Sequence, residues 1–148
     1  MRFWRERARA SLIVPWQRAR RPLLAATLLL AVFGCAGPLL MFPGGRLSGE
    51  VVTAPVEDWS FVDDFFVDLE TRPEDPYSVE LNYIVKDGRL YIDAAEGRTW
   101  LGYIRADPRV RVRFGSKVYP RKAVLVGEPG QLPGFDPDRY VYRLDPRD

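Results

Sequence analysis

Residues 77–93 read YSVELNYIVKDGRLYID, and this stretch decides the fold. Apolar and polar residues alternate from Tyr77 to Val85, and a period of two predicts a half-buried strand. Asp87-Gly88 follows before a second apolar run, and this pair favours a tight turn because both residues tolerate positive φ angles. The stretch therefore predicts a β-hairpin with a return strand over residues 90–93.

The residues after this hairpin indicate a short helix. Within residues 96–105, Trp100, Leu101 and Ile104 lie at helical rather than strand spacing. Asp107-Pro108 ends the helix, because proline disfavours helical geometry in the residue before it.

Two further strands follow the helix. The sequence RVRVRF (109–114) places valines and a phenylalanine on one face and three arginines on the other. Gly115-Ser116 predicts a second hairpin turn into a strand over 118–126. Pro120 interrupts that strand and indicates an edge strand or a bulge.

Additional strands are predicted on either side of this region. Residues 47–52 are a candidate first strand, and residues 139–144 predict a last one. Residues 62–71 predict a strand with an acidic solvent face that includes Glu70 and an apolar core face that includes Phe65. The predicted fold is thus mainly β, a small barrel of about six or seven strands with one short helix.

Three segments resemble the split β-barrel family of flavin- and deazaflavin-binding proteins, which includes pyridoxamine-phosphate oxidases and deazaflavin-dependent nitroreductases. These segments are SVELNYIVKDGRLYI, GRTWLGYIRADP and RVRVRFGSKVYPRKAVLV. The resemblance implies a flavin or deazaflavin cofactor and a homodimer. It also implies that a basic residue after the first hairpin holds the cofactor phosphate.

The implied cofactor-binding residues are Arg98 and Thr99, with Lys117, Arg121 and Lys122 as further contributors. Arginine suits this role because its planar guanidinium group can bind two phosphate oxygens at once. The Gly-Arg-x-Ser-Gly-x-x-Arg segment typical of deazaflavin-dependent members is missing ahead of the hairpins. A barrel that has kept the fold without the cofactor is therefore the second hypothesis.

Aromatic residues offer a platform for a planar ring. The candidates for stacking are Trp59, Tyr83, Trp100 and Tyr103. The same side chains could instead fill the barrel core, so an open cleft beside Arg98 would favour a ligand and a filled barrel would oppose one.

The charge of the chain is strongly asymmetric. Residues 1–45 carry seven arginines and one acid, and residues 46–148 carry a net charge of −4. Residues 22–42 contain no charged side chain and are long enough to cross a bilayer core of about 30 Å. Because arginine clusters stay on the cytoplasmic side, residues 1–21 are predicted to be cytoplasmic and residues 22–42 to be inserted in the membrane. Residues 43–148 are then predicted to form a periplasmic or extracytoplasmic domain.

The excess of basic residues is confined to the N-terminal tail. The sequence therefore predicts no nucleic-acid binding, which needs a basic face on the folded domain.

Cys35, the single cysteine, lies in the sequence Val32-Phe33-Gly34-Cys35 inside this apolar segment. That sequence resembles a bacterial lipobox, in which the cysteine is lipidated and becomes the mature N-terminus. The alternative is a retained transmembrane helix with a buried cysteine. Both interpretations tether the domain to a membrane.

The composition excludes several classes of chemistry. The chain has no histidine, which removes the commonest general base and metal ligand, and its one cysteine lies in the apolar segment. No catalytic residue and no metal site are predicted, so any reaction would depend on a bound cofactor.

Arg109, Arg111 and Arg113 form a stripe on one face of their predicted strand. The stripe could contact a partner, or it could make cross-strand ion pairs with acids on neighbouring strands. Two functions remain open. The sequence favours a membrane-tethered, non-catalytic interaction module or accessory subunit of a membrane complex, because the phosphate-binding segment is missing. The alternative is a flavin- or deazaflavin-dependent oxidoreductase.

Overall fold

The computed structural model describes residue 38 and residues 42–147. These residues form one mainly β domain with eight strands in one sheet and one short helix. In chain order the elements are β1 (Glu50–Val51), β2 (Val67–Thr71), β3 (Tyr77–Leu81), β4 (Ile84–Lys86), β5 (Arg89–Ala94), α1 (Thr99–Ala106), β6 (Arg109–Phe114), β7 (Lys117–Gly127) and β8 (Tyr140–Pro146).

The sheet must curl strongly because of how its two edges are connected. Its strand order is β3-β2-β6-β7-β8-β5-β4, with β1 added in parallel to β7. β3 and β4 are therefore opposite edges, yet only Asn82 and Tyr83 join them. Three residue steps span at most about 11 Å, so the edges have to lie close together. The prediction of one continuous strand over 77–85 is wrong, because the chain passes from one edge of the sheet to the other at this point.

The predicted hairpin is confirmed between β4 and β5. Asp87 and Gly88 have φ angles of 52° and 72°, the positive values that the tight turn requires. Lys86 and Arg89 pair across it, and the Gly88 carbonyl accepts a hydrogen bond of 2.8 Å from the Trp59 N–H.

The predicted helix and the arginine-valine strand are also confirmed. α1 buries Trp100, Leu101 and Ile104, the residues whose spacing indicated a helix. The Asp107 N–H donates to the carbonyl of Tyr103 and closes its last turn. β6 has the predicted bounds, with its valines and phenylalanine buried.

The interpretation of Pro120 as the mark of an edge strand or a bulge is wrong, although Pro120 itself has a partner strand only on its β6 side. β7 lies inside the sheet and runs through Pro120 without a register shift. On the side away from β6, β7 pairs with β1 at Lys117 and Val118, and with β8 from Arg121 onward. Pro120 lies between these two pairings, where no partner strand needs its missing N–H. The register shift falls later, between Leu125 and Gly127.

The predicted strand over 62–71 is shorter than expected, and two of its side chains are placed differently. β2 begins only at Val67, and Phe65 before it is 92% exposed rather than in the core. Glu70, expected on a solvated face, is 2% exposed because residues 46–48 cross over it. Its carboxylate accepts a 2.5 Å hydrogen bond from the Leu47 N–H.

The core lies inside the curled sheet. It is built from the inward-facing residues of the strands, the buried face of α1 and Trp59 from the long loop between β1 and β2. The Trp59 ring packs edge-on against Tyr119 at 5.0 Å and tilted against Phe114 at 5.8 Å, so this loop closes one end of the core.

The predicted membrane segment lies, apart from Pro38 and Phe42, outside the described residues, as do the basic N-terminus and Cys35. No helix in the part of the chain that the structure describes is both long and apolar enough to cross a bilayer. Residues 42–44 run along the free edge of β3, where Gly44 and Ser78 exchange two backbone hydrogen bonds of 2.9 Å.

Candidate ligand cleft

A cleft of about 640 Å³ opens beside the start of α1. It lies between the β3 edge of the sheet and the ends of β5 and β8 that meet α1. Its lining residues are Phe42, Pro43, Phe66, Tyr77, Val79, Glu80, Leu81, Asn82, Asp93, Arg98, Thr99, Trp100 and Arg139. The incomplete closure of the sheet thus leaves room for a ligand next to Arg98.

Arg98 occupies the N-cap position of α1 and is solvent-exposed. It makes no ion pair or side-chain hydrogen bond with any residue between 42 and 147, and no side chain caps the helix. The first turn of α1 contains no acidic residue. The Leu101 N–H donates to the Arg98 carbonyl at 3.0 Å, whereas the N–H groups of Thr99 and Trp100 have no partner among the described residues. Arg98, Thr99 and this helix end therefore present donors and positive charge to an anion.

The loop leading to Arg98 is fixed by an ion pair across α1. Two nitrogens of Arg105 donate to the Glu96 carboxylate at 3.0 and 3.1 Å. These hydrogen bonds lower the pKa of Glu96 to about 2, with a smaller contribution from Tyr140. The Arg105 guanidinium also lies 4.5 Å from the centre of the Tyr140 ring, so the last strand helps to hold the helix start in place.

Arg139 brings a second guanidinium to the cleft. It precedes β8, and the pairing of Ala94 with Tyr140 places it beside Asp93. Arg139 lies 3.6 Å from Asp93 and 3.5 Å from Asp136, so its charge is largely compensated. Arg98 is the less compensated of the two cleft arginines.

The walls of the cleft combine aromatic and polar surface. Phe42, Phe66, Tyr77 and Trp100 contribute rings, and Tyr77 is held edge-on against Tyr103 at 5.2 Å. Glu80 and Asp93 are the carboxylates among the lining residues, and there is no serine, cysteine or histidine among them. The arrangement is suited to holding an anionic planar ligand.

The other three residues implied at the cofactor phosphate lie elsewhere. Lys117 is exposed at the start of β7, opposite Glu50 of β1. Lys122 is exposed on the outer face of β7, and Arg121 points from the same strand toward the core. Of the five predicted cofactor-binding residues, the structure brings together Arg98 and Thr99 in the cleft.

Arg121 is buried against an aromatic ring. It is 3% exposed, its Nε has no hydrogen-bond partner within the described residues, and its guanidinium lies 4.7 Å from the centre of the Trp59 ring. Burial lowers the pKa of this guanidinium. Trp59 also lines a second, smaller cavity of about 360 Å³ at the ends of β5 and β8, and Arg121 does not line it.

The candidate stacking residues are divided between core and cleft. Trp100 belongs to the core, at 7% exposed, and also lines the cleft. Trp59 is buried, and Tyr83 packs edge-on against Phe114 at 5.0 Å. Tyr103 lies behind Tyr77 and under the Arg72 guanidinium. Aromatic side chains therefore fill the barrel and also leave an open cleft beside Arg98.

Two arginines of the stripe, Arg111 and Arg113, form cross-strand ion pairs, which was one of the two predicted roles of the stripe. Arg111 bonds both oxygens of Glu70 at 3.2 Å, and Arg113 approaches Asp68 to 2.6 Å. Residues 46–48 cover part of the stripe and accept hydrogen bonds from Arg111 and Arg113 through the carbonyls of Leu47 and Ser48. Arg109 is the most exposed of the three and pairs with Asp107.

Sequence reasoning did not identify Arg139, Asp93 or the phenylalanines of the cleft. Asp93 and Arg139 lie 46 positions apart and meet only because β5 pairs with β8. Phe42 was assigned to the membrane segment, and Phe66 to the polar face of a strand. No local pattern marks these residues, since their proximity depends on which strands become neighbours.

No known family model matches the chain, and no curated protein is similar to it. Three solved structures share part of its fold at low sequence identity. A candidate pyridoxamine 5'-phosphate oxidase from Listeria innocua is 15% identical, with 57% of this chain and 86% of that chain covered and a TM-score of 0.46. A FAD-binding protein from Mesorhizobium loti is 18% identical, with coverage of 57% and 81% and a TM-score of 0.43. An F420 reductase is 16% identical, with coverage of 64% and 97% and a TM-score of 0.44. These are similarities of fold alone.

Proposed function

We propose that the cleft beside Arg98 binds a phosphate-bearing cofactor of the flavin or deazaflavin class and that the protein is an oxidoreductase. The observation that carries the proposal is the placement of Arg98. It is an exposed guanidinium without an ion pair in the described part of the chain, and it stands at the uncapped start of a helix beside an aromatic cleft. The hairpin and helix segments that resemble the flavin-binding split barrels favour this class of cofactor.

The phosphate of such a cofactor would meet Arg98, the Thr99 hydroxyl and the N–H groups of Thr99 and Trp100. Guanidinium-phosphate hydrogen bonds are charge-assisted and roughly twice as strong as neutral ones. The helix dipole adds a favourable field at the same end. The Glu96–Arg105 pair holds the loop in position for this contact.

The planar ring would lie against the aromatic wall formed by Tyr77 and Trp100. Offset or edge-on packing on such rings favours a flat conjugated ligand. A volume of about 640 Å³ falls within the range of about 300–1,000 Å³ typical of small-molecule sites.

A bound flavin or deazaflavin supplies hydride transfer, which the side chains of this cleft cannot perform by themselves. The chain's part is to bind and orient. Arg98 and Thr99 would hold the anionic end and Tyr77 and Trp100 would contact the ring, while Glu80 is an exposed carboxylate of the same cleft.

The non-catalytic interaction module, which the sequence alone favoured, has less support than the oxidoreductase. Its candidate contact surface was the arginine stripe, and Arg111 and Arg113 are occupied by Glu70, Asp68 and residues 46–48. Tethering through residues 22–42, by a lipidated Cys35 or by a retained helix, stays part of the proposal and places the domain outside the cytoplasm. A homodimer and association with other membrane subunits are compatible with both functions.

Adding FMN, FAD or a deazaflavin to the purified full-length protein tests the proposal. We expect one of them to bind with a change in its absorbance spectrum, and Arg98→Ala to weaken binding about ten- to a hundredfold. That range corresponds to about 1.5–3 kcal/mol for hydrogen bonds to a charged group. Lys117→Ala is the matched control, because it removes an exposed cation outside the cleft and should leave the affinity unchanged.

Thermal unfolding of the apo-protein should be the same for both variants, since Arg98 makes no contact that stabilises the fold. A protein that binds none of these cofactors would exclude the proposal. Equal losses for Arg98→Ala and Lys117→Ala would show general charge attraction instead of a site.

A further inference from the structure

Two exposed phenylalanines line the cleft, and a third exposed phenylalanine is the chain neighbour of one of them. Phe42 is 73% exposed and Phe66 is 50% exposed, and both line the cleft. Phe65 precedes Phe66 and is 92% exposed. We name these three residues the aromatic rim. Grouped exposed aromatic side chains mark contact surfaces more often than isolated ones do.

The aromatic rim is attached to ordered parts of the domain. Phe42 lies two residues before Gly44, which pairs with Ser78 of β3 through two backbone hydrogen bonds. Phe66 directly precedes β2, and the Tyr83 hydroxyl donates a 2.6 Å hydrogen bond to the carbonyl of Asp64 just before the pair. The rim is therefore held at a fixed place on the β3 side of the domain.

The chain that leads into the rim has the composition of a lipid-embedded segment. Residues 22–41 contain no charged side chain, and the seven arginines of the N-terminus precede them. This uncharged run continues without a break into Phe42. The rim thus begins at the residue where the apolar segment joins the folded domain.

We propose that the aromatic rim contacts the surface of a lipid bilayer, so that the cleft opens close to the membrane. Aromatic side chains are favoured at the boundary between headgroups and acyl chains. The charges beside the rim are mixed, with Asp63 and Asp64 next to Phe65 and Arg98 in the cleft. A neutral, zwitterionic lipid surface fits this balance better than an anionic one.

Fluorescence of a label on the rim tests this contact in the full-length chain. With Cys35→Ser removing the native thiol, Phe65→Cys carries an environment-sensitive fluorophore, and the protein is reconstituted in phosphatidylcholine vesicles containing nitroxide-labelled lipid. We expect a shift of emission to shorter wavelength and strong quenching. The same label at Val51→Cys is the control, because Val51 is an exposed apolar residue too, at 50%, but lies on β1, which pairs with β7 and does not line the cleft.

A second variant separates lipid contact from chance proximity. Phe42→Ser combined with Phe66→Ser should reduce quenching of the Phe65→Cys label several-fold. The thermal unfolding temperature should stay the same, since the replaced rings are largely exposed. Arg98→Ala should leave the quenching unchanged, so this result does not depend on whether a cofactor binds.

Quenching no stronger at Phe65→Cys than at Val51→Cys would overturn the proposal. A label that responds to protein concentration and not to nitroxide lipid would overturn it as well, because the rim would then be an interface between two copies of the chain.

Discussion

Among individual residues, the pair formed by Glu70 and Arg111 has the largest structural consequence. Glu70 is 2% exposed, and its carboxylate receives hydrogen bonds from Arg111 and from the Leu47 N–H. Arg111 in turn donates to the Leu47 carbonyl. The two side chains therefore fix residues 46–48 across β2 and β6, and each prevents the other from being buried without a partner.

Arg111→Ala should lower the free energy of unfolding by about 3–5 kcal/mol, because it leaves the Glu70 carboxylate buried without its cation. Arg109→Ala, in the same stripe but at a more exposed pair, should lower the free energy of unfolding by only about 0–1 kcal/mol. Urea unfolding of the two variants measures the difference. Equal costs would mean that Glu70 is solvated when Arg111 is removed.

Replacing both Glu70 and Arg111 by leucine should lower the free energy of unfolding by less than Arg111→Ala alone, since no buried charge is left. If the double variant is less stable than Arg111→Ala, the stabilisation comes instead from the hydrogen bonds that the two side chains make with residues 46–48.

At this scale the sequence predicted one part of the cleft and not the other. Arg98 and Thr99 were identifiable because they belong to a short segment with a recognisable order of hairpin, basic residue and helix. Arg139 was not identifiable, because its position depends on the pairing of β5 with β8. The burial of Glu70 was equally hidden, because the residues that cover it are 23 positions away in the chain.

Among the elements, β1 is the shortest strand and depends on one glycine. It pairs in parallel with the first residues of β7, and the Glu50 N–H donates to the Ser116 carbonyl at 2.9 Å. Gly49 before it has a φ of 151°, and a Cβ at this position would collide with the same carbonyl oxygen. The close approach of the two backbones is therefore possible only without a side chain.

Gly49→Ala should displace β1 from β7 and reduce stability by more than about 1 kcal/mol, the usual cost of an alanine in a backbone conformation that favours glycine. Gly45→Ala is the control, since nothing lies within 4 Å of a Cβ there and the residue needs no positive φ. Amide hydrogen exchange at Glu50 and Val52 should accelerate in the first variant alone. Unchanged exchange at both amides would contradict this account of Gly49.

Local patterns predicted the elements well where one period dominates. The hairpin turn, α1 and β6 follow from spacing and turn residues within a few positions. The break at Asn82–Tyr83 could not be predicted, because the alternation of apolar and polar residues continues through it while the chain changes sheet edge. Pro120 was misinterpreted because β7 can accommodate a proline there only where neither β1 nor β8 pairs with it, and the ends of those two strands are not visible in the local sequence.

In the whole molecule, a single core connects both sides of the sheet. Leu69 of β2 and Ile92 of β5 are fully buried in the same cluster, although their strands lie far apart in the sheet order. The loop that carries Trp59 closes this cluster at one end. The two sides should therefore unfold together.

Leu69→Ala and Ile92→Ala should each lower the free energy of unfolding by about 2–5 kcal/mol, the usual cost of removing a buried aliphatic side chain. Both should preserve one cooperative transition, with Trp fluorescence and far-ultraviolet circular dichroism giving the same midpoint. Leu125→Ala, at a 45% exposed position, is the control with a small effect. Separate midpoints for the two probes would show that the sides unfold independently.

The place of β8 in the sheet has a consequence for biosynthesis. β8 is the last of the eight strands along the chain, yet it lies between β7 and β5. Until residues 140–146 leave the ribosome, the sheet order leaves two pieces, β3-β2-β6-β7 with β1 on β7 and the β4–β5 hairpin. The edges of β7 and β5 that later pair with β8 are unpaired in these pieces. Folding must then be completed after translation of these residues, and until then the exposed edges are where a chaperone would bind or aggregation would begin.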